Sequence, residues 1–191
     1  MYELIGTHFS PYTRRIRLAM EGIDHEFIPI DFSNRENYEL LIKRSPIGKV
    51  PLLVRGDFTL FDSKVIFQYL NENYLQEKID WAQTNDFTLI DEINDTFLQL
   101  LLMKRSAYDI DDTNKYLTNL YRRVRDGLEY LDSHIENFNE WNFVSMSLLC
   151  LVDWIEFREL WDLSSYENLS HFQKRFGELE NVRQTDPRNV L

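Results

Sequence analysis

At Leu75 the chain changes character. Up to that point short strand-like runs take turns with short helical stripes. Beyond it no strand pattern is left, and every periodic run repeats at helical spacing. A chain with this switch cannot close into one sheet-based layer along its whole length. It divides into an α/β unit and an all-helical unit, each with a core of its own.

The first unit reads as β-α-β-α-β-β-α. "YELIG" is a short strand ended by Gly6, and Pro11 suits the first turn of the helix that follows, where its missing N–H costs nothing. Ile16, Ala19, Met20 and Ile23 form one stripe of that helix, and Gly22 stops it. "EFIPIDF" is a second strand, which Pro29 confines to a sheet edge. "RENYELLIKR" is a short helix with Tyr38, Leu41 and Ile42 on one face. "VPLLV" and "FTLF" flank the turn "RGD" as a hairpin. Ser63 then caps a helix running to about Tyr74, with Ile66, Tyr69 and Leu70 facing inward.

After the polar connector "LQEKIDWAQ", a long helix carries Ile90, Ile93, Phe97 and Leu101 as its apolar face. The cleanest stripe in the chain follows: Leu117, Leu120, Tyr121, Val124, Leu128, Leu131 and Ile135. The stretch 143–155 is apolar nearly all round, which places it at the centre of a bundle, with Asn142 as its cap and Ser145 as a weak capping-box partner. A last helix around "YENLSHFQKRFGEL" and an irregular tail complete the unit. The expected boundaries are a first domain over 1–75, a linker over 76–82 and a helical domain over 83–191.

Composition narrows the function classes. The net charge of −11 sits almost wholly in the second part, where 12 Lys and Arg face 22 Asp and Glu after residue 75. Nucleic acid is therefore not an expected partner, because phosphate binding needs a basic face. No apolar run is long enough to span a bilayer, and the N-terminus lacks the basic and apolar segments of a signal peptide. The single cysteine, Cys150, cannot form an internal disulfide and reads as a buried core thiol, so a cytoplasmic location is expected. His8, His25, His134 and His171 have no metal-ligand spacing, so no metal is expected.

Three segments stand out together: "FSPYTRRIRLAMEGIDHEFIPID", "SPIGKVPLL" and "LFDSKVIFQYL". Their order and spacing resemble the glutathione S-transferase N-terminal domain, which is thioredoxin-like. The helical remainder, with "LVDWIEFRELW" and "TDPR", resembles the second domain of bacterial members. The active-site stretch "SPYTRR" is most similar to the serine and cysteine classes named tau, zeta and omega. The resemblance implies an α/β thioredoxin-like domain, then an all-α bundle, a homodimer, and glutathione as co-substrate with no tightly bound cofactor. It makes Ser10 the thiol-facing catalytic residue. It makes Val50 and Pro51 the segment that pairs with the glutathione backbone ahead of a cis proline. Lys49 then reaches the glycine carboxylate, and Asp62 and Ser63 hold the γ-glutamyl end.

The chemistry suits these residue types. A thiol of pKa about 8.5 must be deprotonated to act as a nucleophile at neutral pH. A hydroxyl at a helix start and the positive end of that helix both favour the thiolate. A hundredfold preference for the thiolate needs about 2.7 kcal/mol, the size of one charge-assisted hydrogen bond plus a dipole contribution. Each residue also has an ordinary structural reading. Ser10 before Pro11 is a plain cap, Asp-Ser before a helix is a plain cap, and Pro51 is a trans proline starting an edge strand. Arg14 and Arg15 either add positive potential near the thiolate or are ordinary solvent-facing helix residues. Lys64 either adds carboxylate affinity or points to solvent. Tyr108 is a candidate lining residue for an electrophile pocket, while Trp154, Phe157 and Trp161 read as packing.

The leading expectation is a glutathione S-transferase-like enzyme that activates the glutathione thiol against a small hydrophobic electrophile or a peroxide. The alternative is a non-catalytic scaffold of the same fold, similar to stringent-starvation proteins, which would need none of Ser10, Lys49, Asp62 and Ser63.

Overall fold

The computed structural model describes residues 1–106 and 115–190. In the first unit, β1 (Tyr2–Gly6) leads into α1 (Pro11–Ala19), then β2 (His25–Pro29), α2 (Arg35–Arg44), β3 (Leu52–Arg55), β4 (Phe58–Phe61) and α3 (Ser63–Leu70). A single π turn, Asn71–Leu75, extends α3. The sheet order is β2-β1-β3-β4, with β1 parallel to β2 and antiparallel to β3, and β4 antiparallel to β3. Pro29 ends the edge strand β2, where its lack of an N–H removes no bond from the centre of the sheet. Gly56, at φ 60°, supplies the left-handed turn between β3 and β4.

Side chains on successive strand residues face opposite ways. Ile5, Leu52 and Val54 bury one face of the sheet against Ile30 and Leu41 of α2. Leu4 and Leu53, both fully buried, face the other way. That side carries α3, since Tyr2, two residues from Leu4, meets Tyr69 of α3 edge-on at 6.3 Å. Helix α1 packs against α3. Of the expected face of α2 only Leu41 is buried, while Tyr38 and Ile42 are 47% and 46% exposed. A single leucine suffices to seat so short a helix on the sheet.

The helical unit comprises α4 (Trp81–Arg105), α5 (Lys115–Ser133), a 3-10 turn (Ile135–Phe138), α6 (Phe143–Phe157) and α7 (Glu167–Gly177). Every residue from Phe143 to Ile155 is buried, as the all-round apolar pattern requires of a central helix. Asn142 accepts from the N–H groups of Val144 and Ser145, and Ser145 Oγ accepts from the Asn142 N–H at 3.0 Å, so the capping box is complete. Helix α5 buries Leu117, Leu120, Val124, Leu128 and Leu131. Tyr121 is 38% exposed, and Ile135 falls in the 3-10 turn, so the stripe is narrower than its spacing suggests. Leu101 is half-buried, and Leu100 takes the inward position on α4. Among the described residues no helix is long and apolar enough to cross a membrane.

Two boundaries differ from the expected ones. Helix α4 starts at Trp81, because Asp80 and Gln83 form a capping box there. The C-terminal segment is not irregular. It forms α8 (Glu180–Thr185) and a 3-10 turn (Pro187–Val190). The compact units are 1–78 with 178–191, and 79–177, so α8 belongs with the first unit.

Candidate active site

Strand register brings the candidate residues to one edge of the sheet. Ile5 lies beside Leu52, and Leu52 beside Phe61. One residue further out in this row stand Gly6, Pro51 and Asp62. The loop to Ser10, the Lys49–Pro51 segment and the Asp62–Ser63 pair therefore emerge side by side. Helices α1 and α3 both begin at this edge, so the positive ends of both helices lie there.

Ser10 is half-buried and has extended backbone angles (φ −89°, ψ 123°). Its Oγ accepts from the Thr13 N–H at 3.2 Å, so it is a helix cap. An oxygen used as an acceptor toward its own helix keeps its proton to donate elsewhere, so the cap and a donor role are compatible. The Val50–Pro51 bond is cis. Lys49 is exposed, Val50 half-buried and Pro51 buried.

Asp62, not Ser63, is the cap of α3. Its Oδ1 accepts from the Lys64 N–H at 2.8 Å, and its backbone sits at φ 73°, a left-handed conformation rare for a residue with a Cβ. Ser63 is the first helical residue and is 4% exposed. Lys64 is exposed.

The two arginines correct the solvent-facing reading. Arg14 and Arg15 are 2% and 1% exposed. Arg15 donates to Ser63 Oγ twice, from Nε at 3.2 Å and from Nη2 at 2.7 Å, and its guanidinium lies 5.1 Å from the centre of the Tyr12 ring. With both lone pairs of Ser63 Oγ occupied, its hydroxyl is left only as a donor. A donor backed by a guanidinium at the start of a helix has the chemistry to receive a carboxylate. Sequence reasoning misses this link. The signal available is that Arg14 and Arg15 stand side by side, with Arg17 close behind, in a nine-residue helix whose other positions are mostly apolar.

His8 stands in the loop between β1 and Ser10. Its ring meets Phe27 edge-on at 5.0 Å, and its Nδ1 lies 3.5 Å from Arg17 Nη1. Burial, and then the charge of Arg17, hold its pKa below the ordinary histidine value.

Cys150 is buried in α6, as expected. Among the described residues no three His, Cys, Asp or Glu side chains cluster as metal ligands. Tyr108 lies outside the described residues. A cavity of about 570 Å³ opens in the helical unit beside Glu156, Trp161, Asp162, Leu169 and Gln173, and none of the six candidate residues lines it.

A four-stranded mixed sheet with helices on both faces, opening two helix starts beside a cis proline, is a thioredoxin-like domain, and an all-helical unit accompanies it. Residues 4–78 match the family described as glutathione S-transferase, N-terminal domain, so over those residues the chain is similar to that domain. A glutathione S-transferase of Arabidopsis thaliana is 41% identical over 61 residues, which are 31% of this chain and 28% of that protein, so the chain matches less than a third of that relative's length. Among solved structures, a glutathione S-transferase of Methylobacillus flagellatus with glutathione bound has a TM-score of 0.85 at 21% identity, covering 98% of this chain and all of that one. A Pseudomonas fluorescens glutathione transferase family member, also with glutathione bound, has a TM-score of 0.80 at 18% identity, covering 98% and 99%. At such identities the two likenesses establish the fold.

Proposed function

We propose that the chain is a glutathione transferase in which Ser10 stabilises the glutathione thiolate for attack on a small apolar electrophile or a peroxide. The observation that carries this reading is the position of Ser10. Its oxygen caps α1 toward Thr13, which leaves its proton for an incoming sulfur at the positive end of the helix. Glutathione would lie extended across the sheet edge. Ser63 donates to the γ-glutamyl carboxylate with Arg15 behind it, and Asp62 receives the ammonium group. Val50 ahead of Pro51 pairs with the peptide backbone, and Lys49 meets the glycine carboxylate. Deprotonation needs no separate base, since the thiol proton leaves to solvent once the thiolate is the favoured form. Glutathione is a co-substrate here, and the family's homodimer and cytoplasmic location are part of the same proposal.

The test is a pair of variants. Millimolar glutathione should raise the Tm of the wild type, and Asp62→Ala should abolish that rise. Ser10→Ala should lower kcat toward an aryl halide about a hundredfold while changing the KM for glutathione little, the pattern of a lost transition-state donor. Absence of any Tm response at millimolar glutathione would exclude the reading and leave the scaffold alternative.

A further inference from the structure

Arg14 grips two parts of the chain at once. Its backbone N–H donates to the Ser10 carbonyl at 2.9 Å, the first hydrogen bond of α1. Its buried side chain reaches the other way, donating from Nε to Thr185 Oγ1 at 3.3 Å and from Nη2 to the Val182 carbonyl at 3.1 Å. Thr185 donates its own proton to the Asn181 carbonyl at 2.8 Å, which leaves its oxygen free to accept from Arg14. Past the end of α1, Asn181 Nδ2 donates to Glu21 Oε2 at 2.7 Å. Helix α8 thus touches α1 through its first full turn and again just beyond its last. Burial would raise the Asp186 carboxyl, but hydrogen bonds from Arg188 and the charge of Arg14 outweigh it and keep it low, consistent with a positive group beside the end of α8.

We infer that α8 is a clasp on the opening turn of α1, and that Arg14 is a positioning residue for Ser10. A helix of nine residues is too short to hold its ends by itself, so tertiary fastening decides how firmly its first turn is kept. The guanidinium fork meets a carbonyl and a hydroxyl at the carbonyl-rich end of α8, where a cation is favoured. Lysine lacks this planar fork, whose Nε and Nη2 reach the two oxygens separately, and must hold a flexible stem in place to replace it. The clasp itself stands on the geometry alone, whereas its effect on catalysis rests on the glutathione reading above. Asp62, Ser63 and Lys49 lie on other elements. Loosening the turn of Ser10 therefore changes turnover more than the binding of glutathione.

The experiment uses the full chain with Thr185→Val, Arg14→Lys and the conservative Thr185→Ser. Without any ligand, amide hydrogen exchange over Thr13–Leu18 should rise about tenfold in Thr185→Val and Arg14→Lys, the size of one lost charged hydrogen bond, and stay unchanged in Thr185→Ser. Exchange in α4 and α6 should not move. With glutathione and 1-chloro-2,4-dinitrobenzene, Thr185→Val should lower kcat about tenfold, leave the KM for glutathione within about twofold, and move the pH profile of kcat/KM to higher pH. Unchanged exchange over Thr13–Leu18 overturns the clasp whether or not glutathione binds. Raised exchange with an unmoved kcat and pH profile overturns the positioning role. A wild type with no glutathione-dependent turnover overturns that role together with the site reading, while the exchange comparison still decides the clasp.

Discussion

Arg15 and Ser63 stand 48 residues apart in the chain and meet at 2.7 Å, with a second N–H of the same guanidinium on the same oxygen at 3.2 Å. The pair joins the middle of α1 to the first turn of α3. Ser63→Ala takes the shared acceptor from two buried N–H groups, and a hydrogen bond to a charged group contributes about 1.5–3 kcal/mol. Chemical denaturation of the ligand-free protein should show a loss of that order. Ser63→Thr, which keeps the oxygen, should lose much less. Equal losses for the two variants would mean that the oxygen is not what Arg15 needs.

Gly6 and Thr13 predict a second outcome. A Cβ on Gly6 would stand 2.4 Å from Thr13 Cγ2 and 2.6 Å from Thr13 Oγ1, closer than atoms can pack. Gly6→Ala should therefore destabilise by about 1–3 kcal/mol. The Oγ1 of Thr13 is buried with no hydrogen-bond partner, so Thr13→Ala removes no bond from that oxygen. In the double variant the two changes should compensate, with a coupling energy of at least about 1 kcal/mol in a thermodynamic cycle. Additive losses would refute the contact.

Asp86 predicts a pH dependence. It is 4% exposed on α4, and burial raises its carboxyl pKa above 3.8, only partly offset by the Asn137 Nδ2 donating to Oδ2 at 3.2 Å and by the charge of His134. A group whose folded pKa is raised contributes stability that is complete below its unfolded value and is lost as pH rises through the folded one. At pH 7 the charged carboxylate is thus a net cost. Asp86→Asn should raise the Tm by about 2 °C at pH 7, and that gain should shrink toward pH 4. A gain independent of pH would point to packing instead.

The phenols of Tyr2, Tyr69 and Tyr74 give an alkaline signature. Tyr2 Oη lies 2.8 Å from each of the other two oxygens and 3.5 Å from Arg55 Nη1. Burial would raise Tyr2, but the hydrogen bonds from its neighbours outweigh it and lower its pKa. Tyr69 is pushed up to about 12, chiefly by its hydrogen bond to Tyr2. An absorbance titration should show one tyrosine ionising near 12, and Tyr2→Phe should bring it down toward the ordinary value of 10.0. No change in Tyr2→Phe would place that late phenol elsewhere.

Much of the candidate site is legible in the sequence because capping and turn chemistry are local. Ser10 before Pro11, and an Asp-Ser pair before a helical stripe, announce helix starts within a few residues. Even there the local rule misassigns one cap, since Asp62 takes the position expected of Ser63. The reason is the left-handed backbone of Asp62, which swings its own carboxylate onto the Lys64 N–H. The apolar faces of α2 and α5 are narrower than their spacing implies, because spacing marks which residues share a side of a helix but not how much of that side a neighbour covers.

By itself the amino-acid order determined the switch at Leu75, the run of strands and helices, the buried centre of α6 and the helix starts that carry Ser10 and Ser63. Each of these depends on groups within about one or two turns of each other. Only the tertiary structure decided that Arg14 and Arg15 are buried. A guanidinium can leave water only where oxygens are fixed to receive it, and those oxygens belong to Ser63, Val182 and Thr185, brought from 48 to 171 residues away by the packing of α1 against α3 and α8.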